Sequence, residues 1–106
     1  MYVGGTNQMK KIYSIYWMTQ EGLIIKLLTD TMYACEELLA GLLQLLPEEI
    51  TDDLCILKDE YALYEVEGSF PVDCINTGSL EYCKQLQQMY IASKKYNEDS
   101  LAIIEI

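Results

Sequence analysis

The sequence predicts an α+β fold: two layers, with a largely antiparallel sheet and two helices on one face, in the order ββα-ββα-β. Three observations carry that prediction. Short segments of strand-forming residues, such as the Tyr-, Ile- and Trp-rich stretch Lys11 to Met18, alternate with segments of helical periodicity. Turn residues punctuate them at short intervals. A length of 106 residues with 51% apolar composition leaves room for one domain and one core. Residues 10–106 are assigned to that domain. Residues 1–9, with Gly4-Gly5-Thr6-Asn7, read as a leader or flexible N-terminal arm ahead of Lys10-Lys11.

Lys11 to Met18 has strand composition, Thr19-Gln20-Glu21-Gly22 is a turn, and Leu23 to Leu28 is a second strand, giving a hairpin. Alternation sets Leu23, Ile25 and Leu27 on one face and Ile24, Lys26 and Leu28 on the other. Asp30 is the expected N-cap of a helix to about Leu46, stopped by Pro47. Its Leu-rich stripe (Cys35, Leu38, Leu39, Leu42, Leu45, Leu46, widened by Leu43) predicts deep packing against the core. One further turn follows at Pro47-Glu48-Glu49-Ile50.

Leu54 to Leu57 and Tyr61 to Glu67 read as strands around Lys58-Asp59-Glu60. Phe70 to Ile75 is irregular or a short edge strand, because Pro71 cannot donate to a ladder. Ser79 is the expected N-cap of a second helix to about Lys95, with Cys83, Leu86, Met89 and Tyr90 inward and Asn97 closing it. Leu101 to Ile106 is almost wholly apolar and predicts a strand buried on both faces or paired with a partner. The two ββα stretches are alike in plan, with no repeat discerned residue by residue.

The ionisable inventory excludes much chemistry. Seventeen Asp and Glu face seven Lys, with no Arg and no His, for a net charge of −10. Without His the usual near-neutral acid–base group is missing, and no Ser-x-x-Lys stretch or phosphate-cradling glycine loop replaces it. The expectation is a protein that is not an enzyme and carries no cofactor. Four cysteines, Cys35, Cys55, Cys74 and Cys83, have spacings that match no zinc site, and Asp52-Asp53 and Asp59-Glu60 lack the alternation of a calcium loop. Reduced thiols and no metal are expected. The longest apolar run, Ile12 to Met18, is too short to span a bilayer and no signal-peptide cleavage pattern follows it, so no membrane contact and a cytoplasmic location are expected.

Charge distribution points to a partner. Residues 48–73 hold nine acids against Lys58 alone, a net charge of −8, while the stretches on either side each net −1. This excess repels nucleic acid directly and suits a basic protein surface, most often one built for nucleic acid. The candidate partner-binding residues are Glu48, Glu49, Asp52, Asp53, Asp59, Glu60, Tyr61, Glu65, Glu67 and Asp73, with Tyr61 as an aromatic anchor among carboxylates. The expected function is a non-catalytic inhibitor or nucleic-acid mimic of the phage or mobile-element anti-defence type, such as an anti-CRISPR. The alternative is a homo-oligomeric adaptor, dimerising through the C-terminal strand, whose acidity maintains solubility.

Overall fold

A computed structural model describes residues 10–106, so the predicted N-terminal arm, residues 1–9, lies outside the described residues. The α+β class stands, with a difference in the sheet. Where the sequence predicts one sheet, the strands form two three-stranded antiparallel sheets, one in each of two compact units that divide between Lys58 and Asp59. The physical reason is local. Strands ending at Lys58 and starting at Tyr61 do not pair across their short link; each pairs with the opening strand of its own unit or serves as that strand.

In the first unit, β1 (Tyr13–Met18) and β2 (Ile24–Asp30) form the hairpin, followed by α1 (Met32–Leu45), the single turn α2 (Glu48–Thr51) and β3 (Leu54–Lys58). Strand order is β2-β1-β3. The hairpin turn is held by the Thr19 N–H donating to the Leu23 carbonyl at 2.8 Å and the Leu23 N–H donating to Thr19 Oγ1 at 3.0 Å. Gly22 supplies the left-handed φ of 88°. The N-cap of α1 is Thr31, not the expected Asp30. Asp30 is still paired in β2 with Tyr13, and its carboxylate takes the Thr31 N–H at 2.7 Å, leaving the Thr31 hydroxyl to accept from the Ala34 N–H at 3.1 Å. Helix α1 packs on all three strands, and the buried Cys35 Sγ donates to the Tyr13 carbonyl at 3.4 Å.

The second unit runs β4 (Tyr61–Glu67), β5 (Phe70–Gly78), α3 (Leu80–Ala92), a 3-10 turn (Glu98–Ser100) and β6 (Leu101–Glu105), with strand order β5-β4-β6. Ser79 caps α3 as predicted, its Oγ accepting from the Tyr82 N–H at 3.2 Å. Helix α3 ends at Ala92, short of the expected Lys95, because Lys94 turns left-handed (φ 62°) and the Lys95 and Tyr96 amides both turn back to the Tyr90 carbonyl. Asn97 precedes the 3-10 turn instead of closing the helix. Strand β5 reaches Gly78, beyond the expected Ile75, and is a sheet edge as Pro71 requires.

The units share a strand register, and several residues recur at equivalent positions, a repeat not discerned in the sequence alone. At a spacing of 48 residues Tyr13, Tyr16, Thr29, Cys35 and Leu38 recur as Tyr61, Tyr64, Thr77, Cys83 and Leu86, and the caps Thr31 and Ser79 coincide. The ladders recur too. Tyr13, Ser14 and Ile15 oppose Asp30, Thr29 and Leu28, as Tyr61, Ala62 and Leu63 oppose Gly78, Thr77 and Asn76. Both ladders then slip by one residue at the same place, with Leu27 and Ile75 as the extra residues. One residue fewer before the last strand aligns Leu54-Cys55-Ile56-Leu57 with Leu101-Ala102-Ile103-Ile104. Each unit is one ββαβ plan with the first strand central. Three equivalent pairs, Ser14/Ala62, Ile15/Leu63 and Cys35/Cys83, have no exposed surface at all.

Two packing expectations are corrected. Leu38, Leu43 and Leu45 of α1 are 43%, 52% and 81% exposed, since a helix on a three-stranded sheet turns only one side to it, and Cys35 and the half-buried Leu39 and Leu42 take that side. Of the last strand only Leu101 is buried, because β6 is an edge, so burial on both faces does not hold; Ile104 and Ile106 are exposed.

Candidate functional site

The acidic stretch is divided between the two units. In the first, Glu48 and Glu49 form the exposed opening of α2, and Asp52 and Asp53 lie on the link to β3, Asp53 half-buried. The Met18 N–H donates to the Asp53 carbonyl at 2.9 Å and ties that link to the end of β1. In the second unit, Glu60, Glu67 and Asp73 are exposed and Tyr61 and Glu65 half-buried.

Asp59 departs from the expectation that it binds a partner: it is buried, 5% exposed. Its Oδ2 accepts from Thr77 Oγ1 at 3.2 Å. The repeat explains this burial. In the first unit Thr29, the counterpart of Thr77, shares a 2.8 Å hydrogen bond with the Ser14 hydroxyl. Ala62 stands where Ser14 stands and has no hydroxyl, so Asp59 serves Thr77 in its place.

Register places the remaining acids of the second unit. Residues opposed in an antiparallel ladder share a face, as do residues two apart along a strand. Glu65 opposes Asp73 on one side and Leu101 on the other, Glu67 opposes Phe70, and Tyr61 opposes Glu105. All four carboxylates of the sheet, Glu65, Glu67, Asp73 and Glu105, therefore lie on the face of Tyr61 and Leu63. Between them runs the row Asn76–Leu63–Ile103, where the Asn76 amide reaches the Tyr82 hydroxyl of α3 at 3.4 Å. Glu65, Asp73 and Glu67 gather at the β4–β5 turn, and Glu105 accepts from the Tyr61 hydroxyl at 3.3 Å at the far end. Strands β4, β5 and β6 contain no lysine; Lys84, Lys94 and Lys95 belong to α3 and the turn after it.

Electrostatics follow the same geometry. The Glu105 charge and its hydrogen bond raise the Tyr61 hydroxyl above the usual phenol value, and burial does the same to Tyr82. Burial also raises the Cys55 thiol, which keeps it protonated and a poor nucleophile. Among the described residues no three His, Cys, Asp or Glu are grouped to hold a metal ion, and no helix is long and apolar enough to cross a membrane.

Two features lay outside the expected site. Glu105 is remote in sequence from the acidic stretch, and only strand register joins it to Tyr61. The first unit also holds a cavity of about 260 Å³ lined by Trp17, Thr19, Gln20, Glu21, Glu49, Ile50 and Asp53. A comparison of the chain with protein-family models, curated proteins and solved structures finds no match in any of the three.

Proposed function

We propose that the chain is a non-catalytic acidic binding module that docks on a basic, nucleic-acid-binding protein and acts as an inhibitor or nucleic-acid mimic of the anti-defence, anti-CRISPR-like kind. The observation that carries this reading is a difference between equivalent positions. The first unit opposes Trp17 with Ile25; the second opposes Glu65 with Asp73 at the same register. Like charges directly opposed in a ladder destabilise a sheet, and the first unit's apolar pair demonstrates that the plan does not need them there. Carboxylates held against the preference of the fold, with Glu67 beside them and the unit's lysines confined to α3 and the turn after it, favour a binding role over mere solubility. Glu65 and Glu67 stand about 7 Å apart on one strand face, a spacing of the same order as neighbouring phosphates.

The test titrates an arginine-rich peptide, as a surrogate basic surface, against the protein and against the variant Glu65→Gln/Asp73→Asn. Two surface charge contacts at about 0.2–1 kcal/mol each give a twofold to thirtyfold loss, largest at low salt. Equal affinity of both proteins at every salt concentration would remove the sheet from the reading. A second reading, a homo-oligomeric adaptor, has its own support in the exposed apolar edges: Phe70 and Val72 on β5, Ile104 on β6 and Ile106 just beyond it. Sedimentation of the protein at rising concentration distinguishes the two, since a mimic of net charge −10 stays monomeric.

A further inference from the structure

We infer that the cavity at the end of β1 receives the guanidinium of an arginine side chain, the anchor by which a basic protein partner is held; this rests on the proposed binding role and gives it a first specific contact. Trp17 supplies an aromatic wall, and Trp is the best of the rings for holding a cation over its face. Glu21, Glu49 and Asp53 line the same space, and no lysine does. These carboxylates are not grouped closely enough to chelate a metal ion among the described residues, which suits a broad organic cation. A planar guanidinium both stacks on an aromatic face and forms forked hydrogen bonds to carboxylates, which an ammonium cannot do.

Size agrees. At about 260 Å³ the space is below the range of about 300–1,000 Å³ typical of small-molecule and cofactor sites, and matches a single inserted side chain. The walls are fixed in advance. Thr19 locks the turn that carries Gln20 and Glu21, and the hydrogen bond from Met18 to the Asp53 carbonyl holds the α2 link against β1. The repeat isolates the feature as well. In the second unit Glu65 stands in place of Trp17, and a connection with a 3-10 turn stands in place of α2, so the ββαβ plan forms without the indole or the α2 wall.

Trp17 is the sole tryptophan, so its fluorescence reports the cavity directly. Blocked arginine (N-acetyl, N′-methylamide), blocked lysine and blocked citrulline, the neutral isostere of arginine, are titrated against the intact protein. A saturable change in Trp17 emission with arginine, at least threefold weaker with lysine and absent with citrulline, is expected. Glu49→Gln and Glu21→Gln, both exposed positions, should each weaken the arginine response at least twofold, while Glu36→Gln, an exposed position that does not line the cavity, leaves it unchanged. Calorimetric titration of Trp17→Phe, which keeps a ring, should give weaker binding than the parent. No saturable change with arginine, or an equal response to citrulline or lysine, overturns the guanidinium pocket. If that happens while the arginine-rich peptide still loses affinity through Glu65→Gln/Asp73→Asn, the pocket falls and the acidic sheet stands; the reverse pattern removes the sheet and keeps the pocket.

Discussion

The two units are built on one plan and differ in ways that sort structure from function. What they share is the fold's own requirement: paired Tyr at the first and fourth positions of the central strand, a hydroxyl cap, a fully buried Cys four residues after it, and a one-residue slip in the hairpin at the same place. Some differences are compensated. Ser14 becomes Ala62, and the hydroxyl partner that Thr77 loses is restored by Asp59. Other differences are not. Trp17–Ile25 becomes Glu65–Asp73, and in the strands of that sheet no cation is added to balance the exchange. Compensated changes are neutral variations on the plan; the uncompensated one is the difference on which the proposed binding role rests.

The largest expected effects test the shared core. Ile15→Ala and Leu63→Ala each delete a fully buried side chain at equivalent positions and should each cost about 2–5 kcal/mol in urea denaturation. A full cost in one unit and none in the other would break the equivalence. The next effect tests compensation. Asp59→Ala removes the buried acceptor of the Thr77 hydroxyl and should cost about 1–3 kcal/mol. Adding Ala62→Ser to that variant rebuilds the Ser14–Thr29 arrangement and should recover a large part of the loss. No recovery would sever the link between the two hydrogen bonds.

Much of this was legible in the sequence. The α+β class, the first hairpin, the Ser79 cap and the edge position of the Pro71 strand follow from turn and cap chemistry that acts over a few residues. The division into two sheets was not, because strand partners are chosen by long-range pairing, and Lys58-Asp59-Glu60 looks like any hairpin turn until Leu54–Lys58 is seen beside β1. Asp59 was misplaced for a related reason. A charge run reads as surface, and the absence of a hydroxyl at Ala62, which draws Asp59 inward, is visible only once Ser14 and Ala62 are recognised as counterparts. The signal for that was present in Tyr-x-Ile/Leu-Tyr at residues 13 and 61 and in the cap-to-Cys spacing at residues 31 and 79. Trp17, read only as a strand residue, becomes a cavity wall through α2, which lies far along the chain.

A smaller effect is expected with pH. Tyr61 and Tyr82 titrate above the usual phenol value in the fold, so the folded state favours their protonated forms. That contribution is complete below about pH 10 and is lost as pH rises through the raised values. Melting temperature should therefore fall in the alkaline range above about 10, and Tyr82→Phe should flatten that fall. An alkaline profile unchanged by Tyr82→Phe would place the sensitivity elsewhere.

The smallest change in stability bears on the largest claim, that Glu65 and Asp73 are kept against the fold's preference in order to bind. Glu65→Gln/Asp73→Asn is measured twice: by urea denaturation, and by binding of the arginine-rich peptide at low salt. Relief of the opposed charges should stabilise the protein by about 0.2–1 kcal/mol while affinity for the peptide falls. A variant that is less stable than the parent, or that binds the peptide as tightly, would contradict the account.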